Sequence, residues 1–440
     1  MHLITLNLTD LIVSLLRGTL KCYEPDDKGT WDFAVFKDKE AWKIHGKLVA
    51  NASRYLPGSF DRPPRDPAKK ISSGFKAWEF LLYVYGLLPG LLRHILPPDL
   101  YDHFCTLVAG VRVVLQHVQH PEQLPQAHAN LVEYVTRFED IYYDRRAERL
   151  HFVRPCLHTL LHVVPETIRV GPGPLHSQWT LENFIGNITR EIKQHVTPYA
   201  NVSERAYRRC QVNAIKAIIP ALADPEPSLP PTSLDLNNGY SLLRARDRSE
   251  RGVTAAEGVA IHTFLRQHEH LRRINPGWSP EVRRWARLAL PNGQVACSAW
   301  KEIPRELRGK HPRHSRMLRG DQFAEVQYYF PYKINGVQQG LAMVAPFSAP
   351  NAALLQSSRS TLVACTHPGD AVREVISAKD IVSVVAMVPL PMTDAEAREP
   401  NAIAKYASRY FVVEKPGLDI AWFAGRLENP AMDDDGFHID

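Results

Sequence analysis

Two patterns of apolar residues divide the chain. Up to about residue 222 they recur at the three- and four-residue spacing of amphipathic helices; beyond residue 234 they alternate or cluster as in strands. "LNLTDLIVSLL" from Leu6 has the helical spacing, and Trp78–Leu92 predicts a longer apolar helix that Pro89 and Gly90 should end. Further helices are expected at 99–118, 124–146, 152–165, 178–195 and 203–219. The stretch 23–76 is polar and rich in Pro and Asp, which predicts long loops around one helix near Lys39–Asn51.

"ADPEPSLPPTS", residues 223–233, reads as a Pro-rich linker. Past it, strand-like runs begin at Tyr240, Gln294, Glu325, Thr361, Asp380 and Arg409. Three Asn-Gly pairs (Asn238-Gly239, Asn292-Gly293, Asn335-Gly336) suit type I′ hairpins, whose two central residues need positive φ. Thr254 and Glu257 have the spacing of a capping box before one helix, "VAIHTFLRQ". The expected fold is α+β. A mainly helical part, 1–222, precedes a β-rich barrel- or sandwich-like domain at 234–425 and an acidic tail at 426–440.

Composition places the chain among soluble globular proteins, with 45% hydrophobic and 23% charged residues over 440 positions. The net charge of +6 is unevenly spread: residues 241–320 hold 17 Lys or Arg against 7 Asp or Glu. A basic segment in a weakly acidic context points to a polyanion, nucleic acid first, although a solvated Arg-rich face has the same composition. Arg244, Arg246, Arg283, Arg284, Arg313 and Arg316 are the candidate contacts, with Trp278, Trp285 and Trp300 near them in sequence. The six cysteines are scattered without a C-x-x-C pair, which argues against a zinc ribbon or a disulfide framework. The N-terminus has no basic leader, and the run "FLLYVYGLLPGLL" is too short to span a bilayer. An intracellular protein with no membrane partner is expected.

The stretch "SQWTLENFIGNITREI", 177–192, places Glu182 in the first turn of an expected helix. Leu181, Ile185, Ile188 and Ile192 fall within about 60° of each other, which predicts a buried stripe. Glu182 lies about 90° away, on a half-buried flank shared with Gly186 and Thr189. A first-turn carboxylate meets the helix dipole, worth roughly 0.3–1 kcal/mol, and spacing alone favours that simpler role. His158 and His162 share a helical face as a metal pair would, but Cys156 is about 200° away and no third ligand has metal spacing. "VGPGPLHSQW" lacks the order of a phosphate loop, and its prolines remove amide donors.

Several stretches together resemble the transposases of CACTA (En/Spm-type) DNA elements, in particular a lineage of basidiomycete fungi. They are "MHLITLNLTDLI", "YLPGSFDRPPRDPAKKISSGFKAWEFLLYVYGLLPG", "LHFVRPCLHTLLHVVPE", "GPGPLHSQWTLENFIGNI" and "PYANVSERAYRRCQVNAI", with weaker likeness in "RRWARLALPNGQVACSAWKE" and "DIVSVVAMVP". The resemblance implies a ribonuclease-H-like domain, here partial and carrying a helical insertion, with an Asp-Asp-Glu site. Three carboxylates there hold two Mg²⁺ ions about 3.5–4 Å apart. By that match Glu182 is the third carboxylate and a metal ligand. The family's second Asp falls just before the position of Met1, and its first lies further upstream. The expectation is a truncated, DNA-directed, nuclear protein, catalytically incompetent alone and with no cofactor of its own. The alternative is a fragment of a longer, Mg²⁺-dependent transposase.

Overall fold

A computed structural model describes residues 2–60, 62–71, 74–192, 196–223, 229–268, 279–306, 316–319, 322–369 and 372–416, with backbone alone for Thr180, 304–306 and 316–319. Helices fill the first half and a curled, half-barrel-like sheet the second. The main helices are Leu8–Leu16, Lys39–Ala52, Pro98–Val114, Leu124–Phe138, Pro155–Val170, Trp179–Glu191 and Pro198–Ile218. Pro165 does not end its helix as the sequence suggests; the helix runs on to Val170, anchored by buried Leu160, Val164 and Thr167. Gly171 stops it, with a φ of 92° and its N–H bonded to the Thr167 carbonyl.

Pro89 and Gly90 do not end the apolar helix either. They lie inside Leu88–Leu92, which continues from Ala77–Leu81 through a π-helical stretch, Leu82–Leu87. Pro89 has no N–H to give to the carbonyl four residues back, that of Tyr85. The buried helix solves this from outside: Arg112 donates to the Tyr85 oxygen through Nε and Nη2 at 2.9 and 2.7 Å. The third nitrogen of the same guanidinium donates to the Thr361 carbonyl in the second half of the chain at 2.8 Å.

The strands are β1 Leu234–Asn237, β2 Tyr240–Arg246, β3 Arg251–Gly252, β4 Glu281–Val282, β5 Trp285–Ala289, β6 Val295–Cys297 and β7 Arg316–Arg319. They continue with β8 Gln322–Ile334, β9 Val337–Pro346, β10 Ala364–Thr366, β11 Glu374–Ser377, β12 Ser383–Pro389 and β13 Arg409–Val413. One sheet runs β1-β2-β5-β8-β7-β12-β13-β10, with β6 on β5 and with β9 on β8 and β11, while β3 and β4 pair apart. Two Asn-Gly pairs make the expected two-residue hairpins. Asn238 and Gly239 have φ of 58° and 79° between β1 and β2, and Asn335 and Gly336 have 50° and 78° between β8 and β9. The third departs from expectation: only Gly293 has positive φ, in a longer turn that begins with Pro291 and bonds Leu290 to Gln294. "QVACSAW" is strand only to Cys297, and helix Ala299–Glu306 begins at once. The Thr254–Glu257 capping box forms, with Thr254 N to Glu257 Oε2 at 2.8 Å, ahead of helix Ala255–His268.

The two halves share a core. Leu362, Ala386, Val388, Phe411 and Val413 are buried in the same cluster as the helices, burial of each Leu, Val or Phe side chain being worth about 1.5–3 kcal/mol. Close approach requires glycine: a Cβ on Gly90 would lie 2.6 Å from the Phe411 ring, and one on Gly86 would lie 3.1 Å from Val413. Charges reinforce the seam. Arg359 grips Asp102 at 2.7 Å and Glu133 at 2.9 Å, while Glu396 receives Arg93 at 2.8 Å and Arg409 at 2.7 Å. Arg409, then Arg93, hold the Glu396 carboxyl well below the usual carboxylate range.

Asp26 lies in a polar loop whose spacing offers no hint of a role; its side chain is 1% exposed and receives Arg149 at 2.7 and 2.9 Å and the Trp31 indole at 3.0 Å. Bonds from Arg149 above all hold its carboxyl at about 2, against burial, which acts the other way. Its contribution is therefore complete above about pH 4 and is lost as pH falls through 2. Asp26→Asn leaves the nearly buried Arg149 without its counter-charge and should lower the unfolding free energy at pH 7 by about 3 kcal/mol in urea titrations. The gap between the two proteins should close as the pH is taken towards 2.

Candidate functional site

Glu182 stands at the start of helix Trp179–Glu191, where Trp179 stacks on Trp78 at 4.9 Å and 14°. Its backbone N–H bonds to the Gln178 carbonyl at 2.9 Å, and its side chain is half exposed. His2 spans the helix start, with Nδ1 3.0 Å from Gln178 Oε1 and Nε2 3.7 Å from Glu182 Oε1. The expected buried stripe is not buried: Leu181 is 56% and Ile185 53% exposed, and only Ile188 is covered. The flank of Glu182 is open as well, since nothing lies within 4 Å of a Cβ placed on Gly186. Helical periodicity identifies an apolar face correctly but says nothing of what covers it. Among the described residues no group of three His, Cys, Asp or Glu is arranged to hold a metal ion.

Beside that helix start lies a cleft of about 340 Å³, lined by Leu3, Ile4, Val114, Val163 and Trp179 with His162, Glu166 and His176 among its polar groups. His158 and His162 face each other with their Nε2 atoms 3.1 Å apart on the exposed side of their helix, while Cys156 is buried on another side.

The basic residues gather around the paired strands β2 and β5. Arg246 is opposite Trp285 in register, its guanidinium 5.1 Å from the indole. Arg284 lies 4.8 Å from the Trp300 ring and donates through Nε to Asp247 at 2.8 Å; Asp247 is 7% exposed. Lys301 covers Trp300 at 4.3 Å. Arg244 is exposed, and Arg283 is half-buried with its Nε in contact with no partner. Arg313 lies outside the described residues; Arg316 begins β7 opposite Glu325, with its backbone alone described. Trp278 also lies outside them.

The structure thus brings Arg244, Arg246, Arg283 and Arg284 to one sheet region and leaves Glu182 on the helical half. Two further cations belong to this region: Lys301, and Arg251, 3.9 Å from Asp247. Trp285, near these arginines in sequence, is 3% exposed and serves as the floor on which Arg246 rests.

Comparison of the chain with protein-family models, curated proteins and solved structures finds no match in any of the three.

The arginines divide by role, and stability measurements should separate them. Arg284→Ala leaves Asp247 buried with Arg251 as a distant partner and should cost about 1–3 kcal/mol. Arg244→Ala, at an exposed position, should stay within about 0.5 kcal/mol of the parent in the same denaturation series.

Proposed function

We propose that this chain is a transposase-derived protein of the CACTA type that binds nucleic acid through its basic sheet face. The observation that carries the binding is the convergence of the exposed Arg244, Arg246, Arg248 and Arg251 on one segment with Arg283 on its neighbour. Their local acids are fewer: Asp247, Glu250 and Glu281. Arg246 over Trp285 is held out from the sheet by an aromatic floor, which limits the side-chain entropy lost on meeting a phosphate. Such contacts read charge rather than sequence, so binding is sequence-tolerant and salt-dependent. No helix among the described residues is long and apolar enough to cross a membrane. A nuclear location follows from the DNA-directed role.

The test is titration of the full chain with short duplex and single-stranded DNA across a salt series. Log K should fall linearly with log salt, and the triple change R244A/R246A/R283A should weaken binding and flatten the slope by about one unit per lost phosphate contact. No binding at low salt would sink the reading.

A second reading has one specific observation in its favour. The carboxylate that the resemblance assigns to the metal site is 3.7 Å from His2, at the end of the chain where the family's second Asp is expected. In a longer chain, residues just upstream of Met1 would reach Glu182, and Mg²⁺ held between them would supply the charge needed for phosphoryl chemistry. A form extended by an upstream reading frame with the two Asp residues should nick DNA with Mg²⁺, and Glu182→Gln should abolish nicking without loss of DNA binding. An extended form that binds DNA yet leaves it intact would remove this reading.

A further inference from the structure

His158 and His162 stand one turn apart on helix Pro155–Val170, and both are exposed. Their rings meet edge to face with centroids 4.8 Å apart, and the two Nε2 atoms are separated by 3.1 Å. Two imidazole nitrogens bound to one ion at about 2.0–2.1 Å, at angles between about 90° and 109°, lie about 2.8–3.4 Å apart. The observed separation falls inside that range, so an ion can take the place of the proton between the two nitrogens without movement of the main chain. The ring that donates that proton then carries it on Nδ1, the form in which a neutral imidazole ligates through Nε2.

The helix that carries the pair is anchored. Leu157, Leu160, Val164 and Thr167 are buried, which fixes the backbone at both histidines and preserves their separation. The neighbouring candidates for a third ligand are committed elsewhere. Cys156 is buried on another side of the helix, and Glu166, one turn past His162, receives Arg169 on Oε2 at 2.6 and 3.0 Å. The pair is therefore a two-ligand chelate, in keeping with the lack of any group of three such residues among those described. His162 is also a wall of the cleft beside Trp179, which puts the pair at the rim of that cleft.

We propose that His158 and His162 form a chelating site for a transition-metal ion of the Zn²⁺, Ni²⁺ or Cu²⁺ kind at the rim of the cleft, with water in the remaining coordination positions. Imidazole nitrogen suits these ions, whereas Mg²⁺ and Ca²⁺ select oxygen ligands and pass the pair by. The proposal is independent of the nucleic-acid reading.

The test is calorimetric titration of the full chain with NiCl₂, beside a variant carrying His162→Thr together with Thr159→His. This exchange keeps the number of histidines but sets the two imidazoles on adjacent residues, about 100° apart around the helix. Both positions are exposed, so the core is left alone, and equal urea midpoints for the two proteins check that it is. The parent should bind one more Ni²⁺ ion than the variant, at least about tenfold more tightly than a site with one imidazole, and excess MgCl₂ should leave its isotherm unchanged. Identical isotherms for parent and variant overturn the proposal. Displacement of the extra Ni²⁺ by Mg²⁺ overturns the assignment to a nitrogen-seeking ion. A Ni²⁺-dependent dimer in sedimentation that the variant does not form overturns the water-completed site in favour of one shared between two copies.

Discussion

The carbonyl of Tyr85 is the point on which the two halves of this molecule turn. Pro89 deprives it of its helical donor in the middle of a fully buried segment. Arg112 supplies the missing bonds with two of its nitrogens and spends the third on Thr361. A local defect in one helix is thereby converted into a tie between helices and sheet. The same segment presents Gly86 and Gly90 to β13, so the absence of side chains allows the strand to approach where the guanidinium has already joined the neighbourhood.

Much of the fold is legible from spacing alone. The helices between Pro98 and Ile218 and the strands at 240–246 and 325–334 lie where apolar periodicity puts them, because their patterns are long and locally consistent. What escapes is whatever depends on a distant partner. Pro89 reads as a stop only if the Tyr85 carbonyl has no alternative donor, and Arg112 is 27 residues from that carbonyl in sequence. Asp26 reads as loop polarity until Arg149, 123 residues away, folds back on it. Asn292 looks like its two counterparts, but Pro291 beside it changes the turn.

The candidate sites show the same division. Position at a helix start could be assigned to Glu182, and its exposure could not, because the stripe beside it has no partner among the described residues. The basic face was visible as composition. Its construction was not: Trp285 belongs at once to the sheet core and to the support of Arg246, while Asp247 commits Arg284 to structure. An arginine-rich sequence therefore separates into residues that hold the sheet together and residues left free to meet a partner.

The shared core also bears on how the chain can be divided. Composition marks the region around 223–233 as the natural place to cut, and a protease would be expected to agree. Yet Phe411 and Val413 on one side lie in the same apolar cluster as Leu87 and Leu91 on the other, with Arg112 and Arg359 bonded across. Two polypeptides separated at that cut would remain a single folded object. Neither piece, expressed by itself, would inherit a finished surface.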